Sequence, residues 1–277
     1  MTAPEPREHR LPPQIDTSKP SLARVYDALL GGKDNFDVDR ALLAQMVELT
    51  PEMPAVARAN RRWLIRAVRW LARDAGIDQF LDVGSGLPTA ENTHEVAQSV
   101  NPEAVVVYAD NDPAVIAHGR VLLEDNEHTY FIPGDLTKPE EILSDPVVTS
   151  HLDLDRPIAL LQCLTVHHIP DLADAQRVMA GYVDRMASGS YVGMTHAERP
   201  EPGSEGYEEL WQAYEKFREA SAGFTLRTRD EIASLFPGME FVEPGLVVAD
   251  DWWPEGPRVG ELSPMARLMT AGLARKP

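Results

Sequence analysis

FLDVGSGLPT, residues 80–89, is a short apolar run that ends in Gly84-Ser85-Gly86, just ahead of a helical pattern. Glycines at such a turn let the backbone reverse sharply and approach a ligand closely. The helix beyond offers unpaired N–H groups and the positive end of its dipole. Two glycines alone equally mark a tight strand–helix turn that binds nothing, so the surrounding segments decide their meaning.

Those segments alternate. QFLDV (79–83), AVVVYAD (104–110), TYFI (129–132), PIALLQCL (157–164) and SYVGMTH (190–196) are nearly continuous apolar runs, as strands buried on both faces are. TAENTHEVAQSV, DPAVIAHGRVLLEDN and DLADAQRVMAGYVDRMAS between them have helical length and pattern. This predicts an α/β fold, a mostly parallel Rossmann-like sheet with helices on both faces. EFVEPGLVV and RLMTAGLARK predict a closing antiparallel hairpin, which brings the sheet to seven strands.

Ahead of the sheet, SLARVYDALLGG and PEMPAVARANRRWLIRAVRWLARDAG predict helices. The first is stopped by Gly31-Gly32, since glycine best tolerates the left-handed position after a helix. In the second, Trp63, Ala67, Trp70 and Leu71 share a face. Farther on, Leu210, Tyr214 and Phe217 predict an amphipathic helix. Packing on the core is its default role; covering a substrate or forming a homodimer contact around Trp211 are the others. The expected organisation is an unstructured arm over 1–19, a helical lid segment over 20–75, and a cofactor-binding domain over 76–277 with a helical insertion around 204–222.

The chain has 26 Lys and Arg against 44 Asp and Glu, a net charge of −18. Such a surface repels phosphate backbones, so no nucleic-acid partner is expected. The single cysteine, Cys163, fits a reducing compartment and, inside a predicted strand, reads as an inert core thiol. The N-terminal MTAPEPREHRLPPQIDTSKP lacks the apolar stretch of a signal peptide, and no run approaches the roughly 18 residues of a membrane span. The expectation is a cytoplasmic protein with no membrane association.

The chemistry follows from position. Asp110 closes the second strand 24 residues past Gly86, near the offset of roughly 20 at which an acidic residue binds ribose hydroxyls. An adenosine-containing cofactor is implied, either a nicotinamide dinucleotide or S-adenosylmethionine. Thr89 stands where a dinucleotide fingerprint has its third glycine. Asp82, in the strand before the glycines, suits a cationic amino-acid end better than a pyrophosphate. Asp135, after the third strand, is placed to accept a bond from an adenine amino group. These three features favour S-adenosylmethionine. A non-catalytic protein that binds this nucleoside, and a nicotinamide-dependent oxidoreductase, stay open as alternatives.

FLDVGSGLPT, VVVYADNDPAV, GDLTKPEEIL and LLQCLTVHHIPD resemble the nucleotide-side motifs of class I S-adenosylmethionine-dependent methyltransferases. PSLARVYDALLGGKDNFDVDR, followed by LPTAENTHEVAQ, is similar to the S-adenosyl methyltransferase family long catalogued as a domain of unknown function. The resemblance runs from Pro20 to Lys276 and implies a methyl transfer to an unidentified, small-molecule acceptor. It implies that Asp82, Gly84, Ser85 and Gly86 line the methionine end of the cofactor, that Asp110 binds ribose with Asn111 near adenine, and that Asp135 and Leu136 hold adenine. Gln162 is implied to face the sulfonium, followed by Leu164 and Thr165.

Tyr26 to Phe36, which include most of LLGGKDNFDVD (29–39), then read as a lid over the cofactor, with Tyr26, Gly32 and Asn35 as contacts and Phe36 excluding water. The plain alternative is a helix cap and loop. Adjacent His167 and His168 rarely chelate one ion, and no metal site is expected. One of them is a candidate general base beside an acceptor pocket. Asn92 is a candidate for the cofactor carboxylate or a clasp between loops, with His94 beside it. His196 is a weaker substrate-side candidate. Trp252-Trp253 reads as hydrophobic packing before acceptor stacking.

Overall fold

The computed structural model describes residues 15–88, 91–122, 127–203, 206–220, 224–254, 256 and 261–277. Most of the expected arm, Thr89, and both margins of the expected insertion lie outside the described residues. Residues 16–19 of that arm are not loose. The buried Arg24 guanidinium donates to Asp16 O (3.2 Å) and Lys19 O (2.6 Å).

The strands are β1 (Gln79–Val83), β2 (Val105–Asp110), β3 (Thr129–Pro133), β4 (Ala159–Cys163), β5 (Tyr191–Ala197), β6 (Glu240–Phe241), β7 (Val247–Val248) and β8 (Met269–Arg275). They form one sheet in the order β3-β2-β1-β4-β5-β8-β6, with β7 also on β8. The first five pair in parallel, and β8 pairs antiparallel with β5, β6 and β7. The count is eight strands where the sequence predicted seven. EFVEPGLVV is two short strands, because Pro244 offers no N–H to a ladder and Gly245 turns at φ +90°. The chain winds outward from β1 to β3, then returns to lay β4 on the other side of β1. That reversal opens a crevice at the carboxyl ends of β1 and β4, where ligands bind in open α/β sheets.

Side chains alternate across each strand with a period of two. Phe80, Val106 and Leu161 enter one core; Leu81, Val107 and Leu160 enter the other. The first core is built with three helices that precede the sheet, α1 (Leu22–Leu29), α2 (Asp37–Leu49) and α3 (Met53–Arg73), and with α4 (Thr93–Val100). After β2 comes α5 (Pro113–Leu122). The second core holds α6 (Pro139–Leu143), α7 (Pro146–His151), α8 (Leu172–Arg185) and, after α9 (Tyr207–Ala220), α10 (Arg229–Ala233). A short α11 (Pro264–Arg267) precedes β8.

Within α3, Trp63, Ala67 and Leu71 are fully buried, as their spacing predicts. Trp63 meets Trp252 edge-on at 5.8 Å, and Trp253 packs on Trp70 at 5.4 Å. Trp252 is therefore core packing against α3, whereas Trp253 lies exposed over Trp70 at the surface. In α9, Leu210 is buried and the helix lies against α2 and α11.

Helix α2 was not read from the sequence. Its signal is Asp39, whose carboxylate accepts from the Phe36 amide at 2.8 Å, one half of a capping box. Asp39 also accepts from the Ser21 amide (2.9 Å) and Arg24 Nε (2.8 Å), so one buried carboxylate ties the starts of α1 and α2 together.

Candidate functional site

A cavity of about 480 Å³ opens at the carboxyl ends of β1, β2 and β4. The volume is that of a small-molecule site. Its roof is α1 to α3: Leu22, Val25, Tyr26 and Leu29 come from α1, and Met46 and Met53 from α2 and α3. Its floor includes Asp82, Gly84, Ser85 and Gly86.

The glycines are needed there. Gly84 has φ +73°, and a Cβ would stand 2.3 Å from Thr165 Cγ2, so the β1 and β4 loops touch only because it has no side chain. Gly86 has φ +69° with open space where its Cβ would be. Its N–H donates to Asp110 Oδ2 at 2.9 Å, while Asp112 N donates to Oδ1 at 2.9 Å. Each carboxylate oxygen of Asp110 keeps a further lone pair for a ligand hydroxyl. Burial raises its pKa, and these amide bonds oppose the rise.

Asp82 is buried beneath the turn and accepts from Thr93 Oγ1 at 2.7 Å. Burial pushes its pKa up to about 6, with the Thr93 bond and the nearby Arg61 pulling the other way. An ionised carboxylate so placed favours a cationic ligand group.

Asn111 and Leu136 also line the cavity, together with Tyr26. Gly32, Asn35, Asp135 and Gln162 are not on its wall. The buried Asp27 carboxylate accepts from Asp34 N (3.0 Å) and Asn35 Nδ2 (2.8 Å). A Cβ on Gly32 would sit 1.9 Å from Asp27 Oδ1. The double glycine thus wraps the chain around Asp27. Asp135 turns onto its own loop, accepting from Thr137 N (2.9 Å) and Thr137 Oγ1 (2.7 Å). Gln162 follows Leu161, and strand alternation sends it to the opposite sheet face, where it accepts from Thr165 Oγ1 at 2.6 Å. Its neighbours Cys163, Leu164 and Thr165 line the cavity instead.

Sequence reasoning missed two charged wall residues, Arg61 and Asp112. Arg61 projects from α3 and bonds Glu91 O (3.0 Å) and Asn92 Oδ1 (3.3 Å), which makes Asn92 a clasp between α3 and α4. It also lines, with Asp82, Ser85, Gly86, Asn92 and His94, a second space of about 170 Å³. His94 is held there by Tyr108, its amide donating to the phenolic oxygen at 2.8 Å. Asp112 accepts a hydrogen bond from Ser21 Oγ, at the start of α1. No local pattern marks either residue; each acquires its place from a helix packed far along the chain.

His167 and His168 line the cavity on the turn after β4. His196 does not. It is buried, its Nδ1 donating to Ala197 O (2.8 Å) and its Nε2 accepting from Arg227 Nη1 (3.0 Å). Burial lowers the His196 pKa to about 3, which fits that neutral tautomer. Among the described residues, no group of three or more His, Cys, Asp or Glu is arranged to hold a metal ion. No helix there is long and apolar enough to cross a membrane.

Five parallel strands in the order β3-β2-β1-β4-β5, closed by the antiparallel β8, with a glycine turn after β1 and an acidic residue ending β2, form the class I S-adenosylmethionine-dependent methyltransferase fold. A family model described as S-adenosyl methyltransferase matches residues 8–277, and the chain belongs to that family. It is 45% identical to a Thermobifida fusca YX protein of known crystal structure assigned as a methyltransferase, over 94% of this chain and 96% of that one, with a TM-score of 0.85. It is 36% identical to a DUF574 family protein from Streptomyces avermitilis MA-4680, over 95% of this chain and 100% of that one, with a TM-score of 0.86. No curated protein matches the chain. The chain is an S-adenosylmethionine-dependent methyltransferase.

Proposed function

We propose that this chain binds S-adenosylmethionine in the 480 Å³ cavity and methylates a small-molecule acceptor there. The observation that carries the reading is the joining of Asp82, Arg61, the glycine turn and Asp110 in one wall. Asp82 matches the ammonium of the methionine end, and Arg61 its carboxylate. Asp110 takes the ribose hydroxyls, with Asn111 and Leu136 beside adenine. When bound, the sulfonium supplies an activated methyl group. The protein's part is alignment: a rigid floor, a helical roof that excludes water, and an acceptor held in line.

The test is calorimetric titration of the full chain with S-adenosylhomocysteine, 5′-methylthioadenosine and NAD. S-adenosylhomocysteine is expected to bind, and 5′-methylthioadenosine, which lacks the amino-acid end, to bind more weakly. Asp82→Asn and Arg61→Leu should weaken only the former. Preferential binding of NAD, or equal binding of both S-adenosyl-type compounds by wild type and variants, would overturn the assignment.

A further inference from the structure

In sheet order the cavity wall changes character at β4. Its charged groups, Arg61, Asp82, Asp110 and Asp112, come from α3, β1 and the end of β2. Among the described residues, no Lys, Arg, Asp or Glu lines the part formed by β4, β5 and β8. There Ala197 ends β5 beside Met269 of β8, and Phe224, Leu226 and Met265 complete the side. Met46 and Met53 close it from the roof. All four methionines belong with Leu226 to one buried apolar cluster.

Glu198 and Arg227 adjoin this wall in sequence and turn away from it. Glu198 follows Ala197, and its carboxylate holds Arg229 at 2.9 Å and the hydroxyl of Thr270, the neighbour of Met269. Arg227 follows Leu226, and its guanidinium donates to the carbonyls of Val166 and Ile169 and to His196. Glu198 and Arg227 sit opposite each other as an isolated bridge, so both stretches are extended there. Alternation along extended chain then puts the apolar member of each pair on the cavity and the charged member on the far side. The turn after β4 adds little polarity. Thr165 gives its hydroxyl proton to Gln162 at 2.6 Å, the His167 ring nitrogens are sealed from the cavity, and His168 packs on Phe224 with ring centroids 4.8 Å apart.

A charge brought into this half would lose its hydration and meet no counter-charge on the protein. Thioether side chains adapt their shape to irregular apolar bodies, flat or flexible. We infer that the β4–β5–β8 half of the cavity seats the methyl acceptor, and that the body of the acceptor beyond its reacting atom is uncharged and apolar. The inference rests on the cofactor reading above and names the acceptor class for that same site. The reacting atom must meet the sulfonium, which brings a positive charge of its own, so the selection acts on the far end of the acceptor. Met46 and Met53 on the roof, with Met265 and Met269 on the wall, are the specificity-determining side chains.

The test uses the full chain saturated with S-adenosylhomocysteine at about pH 8, where a histidine is ordinarily neutral. 1-Octanol, 8-hydroxyoctanoate and 8-amino-1-octanol, charged as its ammonium, share a hydroxyl and differ at the far end. 2-Naphthylmethanol and 6-(hydroxymethyl)-2-naphthoate make the same comparison on a flat ring system. In calorimetric titrations the neutral member of a series should bind roughly tenfold or more tightly than its ions. The series that binds better tells whether the acceptor body is a chain or a ring. Met265→Lys places an ammonium on this wall and should shift the ranking toward the carboxylate by roughly tenfold or more. Should that variant not fold, the wild-type ranking decides alone. Equal or tighter binding of the charged compounds by wild type, no binding of either neutral one, or an unmoved ranking in a folded Met265→Lys would overturn the inference and leave the cofactor assignment standing. Failure of S-adenosylhomocysteine to bind would instead sink the cofactor assignment itself.

Discussion

Asn60 in α3 donates its amide to the Tyr26 hydroxyl of α1 at 2.7 Å and accepts from Thr195 Oγ1 of β5 at 2.6 Å. Thr195 Oγ1 in turn accepts from Leu164 N at 3.0 Å, where the chain takes φ +56° at the end of β4. The roof of the cavity is therefore joined to its floor through one buried amide. A buried polar group that loses its partner costs about 1–3 kcal/mol. Tyr26→Phe should lower the melting temperature by a few degrees, at roughly 2–4 °C per kcal/mol for a chain of this size. Asn60→Ala strands two partners and should do more. Both should weaken S-adenosylhomocysteine binding, measured by calorimetry. Unchanged affinity in both variants would show that the α1 roof takes no part in holding the ligand.

Asp82 sets stability against binding. Its folded pKa of about 6 lies above the ordinary 3.8. Its favourable contribution is thus complete below about pH 4 and is lost as pH rises through 6, so at neutral pH the buried ionised carboxylate destabilises the ligand-free fold. Asp82→Asn should stabilise the ligand-free protein at pH 7 by roughly 2 kcal/mol and abolish tight binding of S-adenosylhomocysteine. In the wild type, affinity should fall as pH drops below about 6. A denaturant midpoint for the variant at or below the wild-type value at pH 7 would contradict the account.

Gly84 and Gly86 should fail differently when replaced by alanine. Both carry positive φ, which costs a non-glycine residue roughly 1–2 kcal/mol. At Gly84 the methyl also collides with Thr165 Cγ2 at 2.3 Å, so Gly84→Ala should lose about 3 kcal/mol or more. At Gly86 nothing lies within 4 Å. Gly86→Ala should remain near 1 kcal/mol in stability yet lose cofactor affinity, because the methyl enters the cavity. Thermal melts and titrations of the pair distinguish the two effects. Similar melting temperatures for both variants would argue against the close approach at Gly84.

The Arg24–Asp39 pair, at 2.8 Å and almost without solvent exposure, ties α1 to the start of α2 in the roof. Burial tends to raise the Asp39 pKa, but bonds from Arg24, Phe36 N and Ser21 N outweigh it and the net shift is downward. Its stabilisation is present above the unfolded carboxylate value and is lost as pH falls through the lower folded one, a window below about pH 4. Asp39→Ala leaves Arg24 buried and unpaired and should destabilise by about 3–5 kcal/mol. Amide exchange should locate that loss first in α1 and α2. Exchange that increases uniformly across the sheet instead would mean the pair supports the whole fold.

The architecture was legible because its signals are local. Burial on both faces made strands such as β1, β2 and β5 readable as continuous apolar runs, and the glycine turn followed by Asp110 marked the edge that carries the cavity. The wall residues Asp82, Gly84, Ser85, Gly86, Asp110, Asn111 and Leu136 lie on that frame. Only tertiary structure decided which side chains complete the site. Gln162 and Cys163 are adjacent in sequence, but the pleat points them to opposite faces. Asn35 and Gly32 close on Asp27, a buried carboxylate that the fold of the α1–α2 loop brings against them. Arg61 and Asp112 enter the wall through contacts with Glu91 and Ser21, 30 and 91 residues away along the chain. Backbone pattern is a property of neighbouring residues, whereas satisfaction of a buried polar group depends on whatever the packed helices bring within 3 Å.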